Sequence, residues 1–299
     1  MSLVDVDGHQ LKLSNLDKVL YPSTGFTKGD VIDYYARVAP VAVPHYSGRP
    51  MTLKRYPNGV EGKSFFEKNC PSHRPAWLTT APAWSRHSKR TIEFCLIEST
   101  AALVWTANLA ALELHPSLSR AEALDRPTMV VFDLDPGAPA DIRQCCQVAC
   151  HLRDLFDHLG LQSVAKTSGS KGLQVYVPLN TPVTYEGAGG TKPFALAVAQ
   201  LLERQHPELV VSNMAKELRA DKVLVDWSQN DESKTTVGAY SLRAREQPSV
   251  STPVTWDEVA AADPDALRFT AADVLDRAAR LGDLFAMTVD LEQTLPRFG

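Results

Sequence analysis

No run of apolar residues in this 299-residue sequence approaches the roughly 20 needed to cross a bilayer. The opening MSLVDVDGHQ lacks the basic-then-apolar plan of a signal peptide. There is no C-x-x-C pair. The five cysteines, Cys70, Cys95, Cys145, Cys146 and Cys150, form an odd set, which favours a reducing, cytoplasmic setting. Cys145, Cys146 and Cys150 fall in a helical pattern and read as small buried hydrophobes, so no zinc is expected. No Ser/His/Asp or Cys/His arrangement stands out, and no internal repeat or low-complexity segment is present. The chain also lacks an excess of positive charge. Its net charge is −4, which on its face argues against a nucleic-acid partner. The distribution argues otherwise: residues 12–90 carry 13 Lys/Arg against 5 Asp/Glu, while residues 251–299 carry 4 against 9. A basic face can grip phosphates while the far side stays acidic. A solvated charged surface is the other reading.

What is present centres on Val130–Gly137, VVFDLDPG. Val130, Val131 and Phe132 are strand formers, and Pro136-Gly137 ends the run in a turn. Asp133 and Asp135 are two apart, so on a strand both carboxylates leave the same face, with Cα atoms roughly 6.5–7 Å apart. Like charges so placed call for a cation, and a pair of divalent ions used in phosphoryl transfer is one such. A solvated Asp-x-Asp turn is the alternative. KVLVDW, 222–227, is a second strand that delivers an aspartate, Asp226, with Gln229 just after it.

The rest of the chain supplies candidate anion sites. Val4–Leu13 reads as a strand with a turn at Asp7-Gly8. Ser14 could cap a short helix ended by Tyr21-Pro22, and Thr27-x-x-Asp30 is a capping box for a helix to about Val38. Lys18 and Lys28 flank this helix start and suit an anion pocket, or are plain surface lysines. Residues 49–56 read as a strand ending at Lys54 and Arg55. GKSFFEKN, 62–69, places Phe65 and Phe66 in a polar loop among lysines, as a base-stacking platform or a loop anchor. Arg90–Ile97 reads as a strand. Glu98–Leu114 reads as a long apolar helix with His115 at its end, where a cation suits the dipole. A helix over 139–159 precedes strands at Val164–Thr167 and Leu173–Leu179. The bend SGSKG between them offers amides and Lys171 as a phosphate nest, or is a simple β-turn. Thr191–Gln205 is another helix, Arg243 lies in a further short element, and the tail from Thr252 is helical.

Taken together, NLDKVLYP, GKSFFEKN, VVFDLDPG, TSGSKGLQVY, KVLVDWSQN and YSLRAR resemble, in order, the primase-polymerase domain of bacterial ligase D, of the archaeo-eukaryotic primase superfamily. The likeness covers about Leu11 to Gln247. It implies an α+β, primase-type fold of two β-sheets with flanking helices, one half similar to an RNA-recognition (RRM-like) module. A single domain over residues 1–299, made of two interlocked halves, is the expected organisation.

The same likeness implies a nucleotidyltransferase that fills short gaps. Asp133, Asp135 and Asp226 would be its catalytic carboxylates and metal ligands. Lys171 and Arg243 would hold the triphosphate, with Ser168, His115, Lys54 and Gln229 in the nucleotide pocket. Asn15, Lys18 and Lys28 would grip a 5′-phosphate across the gap. Phe65 and Phe66 would stack on the template, and Arg219 would handle template or primer. Two divalent ions, manganese first and magnesium as the alternative, and a preference for ribonucleotides are carried over. Expected partners are gapped or primer–template DNA with a 5′-phosphate, NTP or dNTP, DNA ligase and end-binding repair proteins. A monomer near the bacterial nucleoid, with no membrane, is expected. Two departures stand out. The loop PSLSRAEALDRP is shorter than in many relatives, which tilts the reading toward a stand-alone gap-filling enzyme rather than an end-joining module of a fused ligase. Gln174 stands where relatives commonly have a histidine. A primase and a non-catalytic DNA-end binding module are the remaining alternatives.

Overall fold

The computed structural model describes residues 2–85 and 89–296. The chain divides into two compact units, each assembled from three separate stretches. Unit 1 comprises Met1–Glu122, Thr235–Ser251 and Phe269–Gly282; unit 2 comprises Ala123–Lys234, Thr252–Arg268 and Asp283–Gly299.

Unit 1 begins with a hairpin, β1 (Ser2–Val6) and β2 (His9–Leu13), turned at Asp7-Gly8 with both residues at positive φ. The segment expected to hold a short helix after Ser14 instead forms β3 (Val19–Tyr21), paired with β4 (Phe26–Thr27). Helix α1 (Lys28–Tyr46) starts at the expected capping box, Thr27 with Asp30. It runs on past Val38 through Pro40 and Pro44, because burial of Val31, Tyr34, Tyr35, Val38, Ala42 and Tyr46 along one face outweighs the proline penalty. Three buried hydroxyls of α1 anchor other backbone: Tyr34 donates to Tyr240 O at 2.8 Å, Tyr35 to Leu112 O at 2.6 Å and Tyr46 to Ala239 O at 2.6 Å.

Helix α2 is short, Thr100–Asn108, and ends where Ala110 takes φ 57°. The expected helix over 98–114 is therefore corrected: residues 111–116 are a strand. The sheet of unit 1 contains β5 (Met51–Arg55), β6 (Phe65–Glu67), β7 (Thr80–Ser85), β8 (Arg90–Cys95) and β9 (Ala111–Pro116), in the order β6-β5-β8-β7 with β9 also on β5. The stretch GKSFFEKN is thus an edge strand at its centre, not a loop. Cys70 and Cys95 are joined by a disulfide, so the odd set conceals one pair; Cys145, Cys146 and Cys150 are free.

Unit 2 is a six-stranded sheet, built from β10 (Met129–Pro136), β11 (Val164–Thr167), β12 (Leu173–Pro178), β13 (Val210–Val211), β14 (Val223–Asp226) and β15 (Pro253–Val254). The order is β13-β14-β10-β12-β11-β15, with only β13–β14 parallel. Val130, Val131, Phe132 and Leu134 are all fully buried, which explains the uninterrupted apolar run of a central strand. Phe132 packs on Phe156 of α3 (Ile142–His158) at 5.3 Å between centroids, and Phe156 meets Phe194 of α4 (Thr191–Gln205) at 6.5 Å. Both helices therefore cover the Phe132 face. By alternation, Val131, Asp133 and Asp135 lie on the other. Beyond the paired stretch of β14, the Asn230 side chain accepts from Val131 N at 2.9 Å and donates to Val131 O at 2.7 Å. Among the described residues no helix is long and apolar enough to cross a membrane.

Candidate active site

The carboxylates lie on a cross-strand row of unit 2. Asp226 is directly opposite Asp133, Asp133 is opposite Gln174, and Gln174 is opposite Lys166. Opposed residues of antiparallel strands share a face with Cβ atoms about 4.5–5.5 Å apart. Asp135 joins the same face two residues on, opposite Leu224. Two glycines let the backbone close around this end of the sheet. A Cβ on Gly137 would meet Arg219 O at 1.8 Å, and one on Gly172 would meet Leu134 O at 2.2 Å.

Each aspartate has protein donors. Gln174 Nε2 donates to Asp133 at 3.0 Å. Lys171 Nζ lies 3.0 Å and Arg219 Nη1 3.8 Å from Asp135. Ser228 donates to Asp226 through its N–H at 2.9 Å and its hydroxyl at 2.6 Å, and Gln229 Nε2 donates at 2.6 Å. Among the described residues, no group of three His, Cys, Asp or Glu side chains is placed to hold a metal ion as the side chains stand. Burial pushes the Asp133 carboxyl up to about 6; the Gln174 bond and Lys166 oppose this, and repulsion from Asp226 and Asp135 adds to it. Opposed, partly buried carboxylates with oxygen-only donor sets suit hard divalent cations. The donor atoms are thus of the type such cations take, while Lys171 and Arg219 supply the positive charge at Asp135 in this arrangement.

Sequence reasoning missed Lys166. It is 1% exposed, donates to Gln174 Oε1 at 2.5 Å and lies 5.5 Å from the Tyr176 ring. The Tyr176 hydroxyl also donates to Gln174 Oε1, at 3.0 Å. With two donors on that oxygen, the amide nitrogen must face Asp133. In the SGSKG bend, Ser168 Oγ accepts from Ser170 N at 3.2 Å and Gly172 N at 3.1 Å. These two amides are engaged within the turn, so the expected nest rests on the Lys171 side chain rather than on backbone donors. Lys171 also donates to Pro136 O at 3.1 Å.

Unit 1 carries a second cluster. Strand β9 places Glu113 and His115 on one face, with Glu113 opposite Lys54 of β5. Glu113 is 2% exposed. Its carboxylate lies 3.0 Å from His115 Nε2, 3.5 Å from Arg243 Nε and 3.7 Å from Lys54 Nζ. Burial alone would raise the Glu113 carboxyl, but the His115 bond and the charges of Arg243, His115 and Lys54 outweigh it and bring it down to about 2. Burial lowers the His115 pKa; Glu113 works against that, and Arg243 and Lys54 add to it. Placing His115 on a strand corrects its expected position at a helix C-terminus.

Phe65 and Phe66 are 45% and 59% exposed on edge strand β6, so each ring keeps a large open surface. Arg55 lies over Phe65 at 5.3 Å and Lys54 over Phe66 at 5.4 Å. The two rings, with Glu67, Lys68 and His73, border an open depression of about 490 Å³. At the start of α1, Lys28 is buried and donates to Ser14 O at 2.7 Å and to Ser14 Oγ at 3.3 Å. Burial lowers its pKa, with Lys18 and Arg55 adding to the effect. Lys18 donates to Asn58 Oδ1 at 3.0 Å, and Asn15 takes φ 54°. The first helix amides donate to Lys18 O and Leu16 O, so they are engaged within the chain, and the charge on offer here is that of the lysine ammonium groups.

A mixed α+β fold with an acidic sheet face is the arrangement expected of a nucleotidyltransferase of the archaeo-eukaryotic primase type, and the comparisons with known proteins agree with that class. The family model "LigD, primase-polymerase domain" matches residues 27–285, and the chain belongs to that family. It is 46% identical to the multifunctional non-homologous end joining protein LigD of Mycolicibacterium smegmatis, over 93% of this chain and 36% of that protein. It is 33% identical to the bifunctional non-homologous end joining protein LigD of Bacillus subtilis, over 91% of this chain and 43% of that protein. The chain thus spans about two fifths or less of these relatives. Among solved structures, the polymerase domain of Mycobacterium tuberculosis ligase D in complex with DNA aligns with a TM-score of 0.88 and 45% identity, over 95% of this chain and 99% of that one.

Proposed function

We propose that the chain is a template-directed DNA repair polymerase that fills short gaps, prefers ribonucleotides and works with two divalent ions, manganese first. The observation that carries this is the register of Asp226 opposite Asp133, with Asp135 on the same face. Asp133, Asp135 and Asp226 would hold the ions, which when bound would lower the pKa of a primer hydroxyl and neutralise phosphate charge. Gln174, held by Lys166 and Tyr176, keeps Asp133 oriented. With ions bound at Asp135, Lys171 would be free to face a triphosphate, with Ser168 shaping its turn and Gln229 steadying Asp226. Within unit 1, Lys54, His115 and Arg243 would offer a nucleotide-binding cluster of their own. Phe65 and Phe66 offer stacking faces to a template. Arg219, across from Asp135, handles template or primer. Asn15, Lys18 and Lys28 receive the 5′-phosphate of gapped DNA. The relatives named for end joining support a bacterial DNA-repair setting; within it the chain would act as a cytoplasmic monomer with a DNA ligase and end-binding proteins as partners.

The test is primer extension across a one- to few-nucleotide gap, with NTP or dNTP and manganese or magnesium. Manganese-dependent ribonucleotide incorporation that needs a primer 3′-hydroxyl is expected. Dinucleotide synthesis on a template without a primer would instead mark a primase, and DNA binding without incorporation would mark a binding module.

A further inference from the structure

Glu113 is the least explained charged group in the protein. A buried carboxylate beside groups that are to bind a polyanion should weaken their attraction for it. Yet its five neighbours all present donors. Oε1 accepts from Ala244 N at 3.2 Å and from the Tyr56 hydroxyl at 3.4 Å, and faces Lys54 Nζ and Arg243 Nε at 3.7 and 3.5 Å. Oε2 faces His115 Nε2 at 3.0 Å. A carboxylate only accepts, so His115 Nε2 must carry the proton in that bond. On a neutral ring, Nδ1 is then a bare acceptor. Phosphate oxygens are acceptors too and would meet Nδ1 lone pair to lone pair. A hydroxyl would not.

We propose that Glu113 is the positioning residue of this cluster: it fixes His115 as the Nε2–H tautomer, so that Nδ1 accepts a sugar hydroxyl of the nucleotide while Lys54 and Arg243 face its phosphates. The proposal rests on the polymerase reading for the identity of the ligand, but not for the tautomer. Burial of the ring beside two cations keeps it neutral, in agreement. The Phe66 edge-to-face contact, 5.8 Å between centroids, holds the ring from another side.

Charge and positioning make opposite predictions for Glu113→Gln. Removing a negative charge from beside Lys54 and Arg243 should tighten triphosphate binding if charge alone matters. Under the positioning account the glutamine amide no longer dictates the tautomer and releases both cations, so nucleotide binding weakens roughly tenfold, equivalent to about 1.4 kcal/mol. The experiment has two readouts. Nitrogen-15 histidine NMR on the nucleotide-free wild-type chain should show His115 protonated at Nε2 and bare at Nδ1 at neutral pH. A bare Nε2, or an imidazolium, overturns the inference. Binding of labelled ribonucleoside triphosphate and its 2′-deoxy and 3′-deoxy analogues should show that wild type loses affinity with one of the two hydroxyls. Glu113→Gln should bind the parent nucleotide more weakly and discriminate less. Tighter or unchanged binding, or discrimination retained in full, overturns it. The tautomer is read without nucleotide, so a wild-type chain that binds no nucleotide contradicts the polymerase reading, whereas a wrong tautomer contradicts this inference.

Discussion

Asp133, proposed as a metal ligand, also weighs on the fold that holds it. Its carboxyl is raised to about 6, burial being the largest cause. The folded protein therefore binds that proton more tightly than the unfolded chain does. The stability this confers is complete below about pH 4 and is lost as pH rises through about 6. Asp133→Asn should accordingly melt several degrees above wild type at pH 8 in metal-free buffer, with the gap closing near pH 4. Manganese should raise the wild-type Tm more than that of the variant. Thermal melts at both pH values check this, and a variant melting below wild type at pH 8 would contradict it. Asp133 was readable from the DLD pattern because i, i+2 spacing puts two carboxylates on one face of any strand. Lys166 was not: its importance comes from its place opposite Gln174 on a neighbouring strand, and register between strands leaves little trace in local spacing.

At the scale of elements, the boundary between α2 and β9 decided what could be seen. Read as one helix over 98–114, residues 113 and 115 point to different sides. On β9 they share a face, and the Glu113 cluster emerges only then. The local signal was weak because the segment is mostly apolar, with Trp105, Leu112 and Leu114 all buried, so periodicity could not mark where the helix stops. The capping box of α1 was the opposite case, since a side-chain hydroxyl and an acid three residues on carry their own geometry. Edge strand β6 yields a prediction of its own. Phe65→Ala with Phe66→Ala removes two exposed rings and little core packing. Template binding should weaken by about 1–3 kcal/mol per lost stack, with Tm nearly unchanged. Fluorescence anisotropy with gapped DNA checks the first expectation, and equal affinity would remove the stacking role.

Over the whole molecule, the division of charge was visible from counting alone, whereas the composition of the two units was not. Thr235–Ser251 returns to unit 1 and brings Arg243 to Glu113 from 130 positions away, a placement set by buried tyrosine hydroxyls rather than by any local pattern. The basic stretch makes a separate claim. Lys18→Ala with Lys28→Ala should erase any preference for a gap carrying a 5′-phosphate over one carrying a 5′-hydroxyl. Part of the Lys28 effect will appear as lost stability, since its ammonium holds Ser14. A preference that survives in a folded double variant would place the phosphate elsewhere. The central claim, that Asp133, Asp135 and Asp226 act together on divalent cations, is tested most directly by manganese-dependent incorporation into a single-nucleotide gap by wild type, Asp133→Ala and Asp226→Ala at matched DNA occupancy. The account predicts incorporation by wild type and none above background by either variant, with duplex binding largely retained. Full incorporation by Asp226→Ala would contradict it.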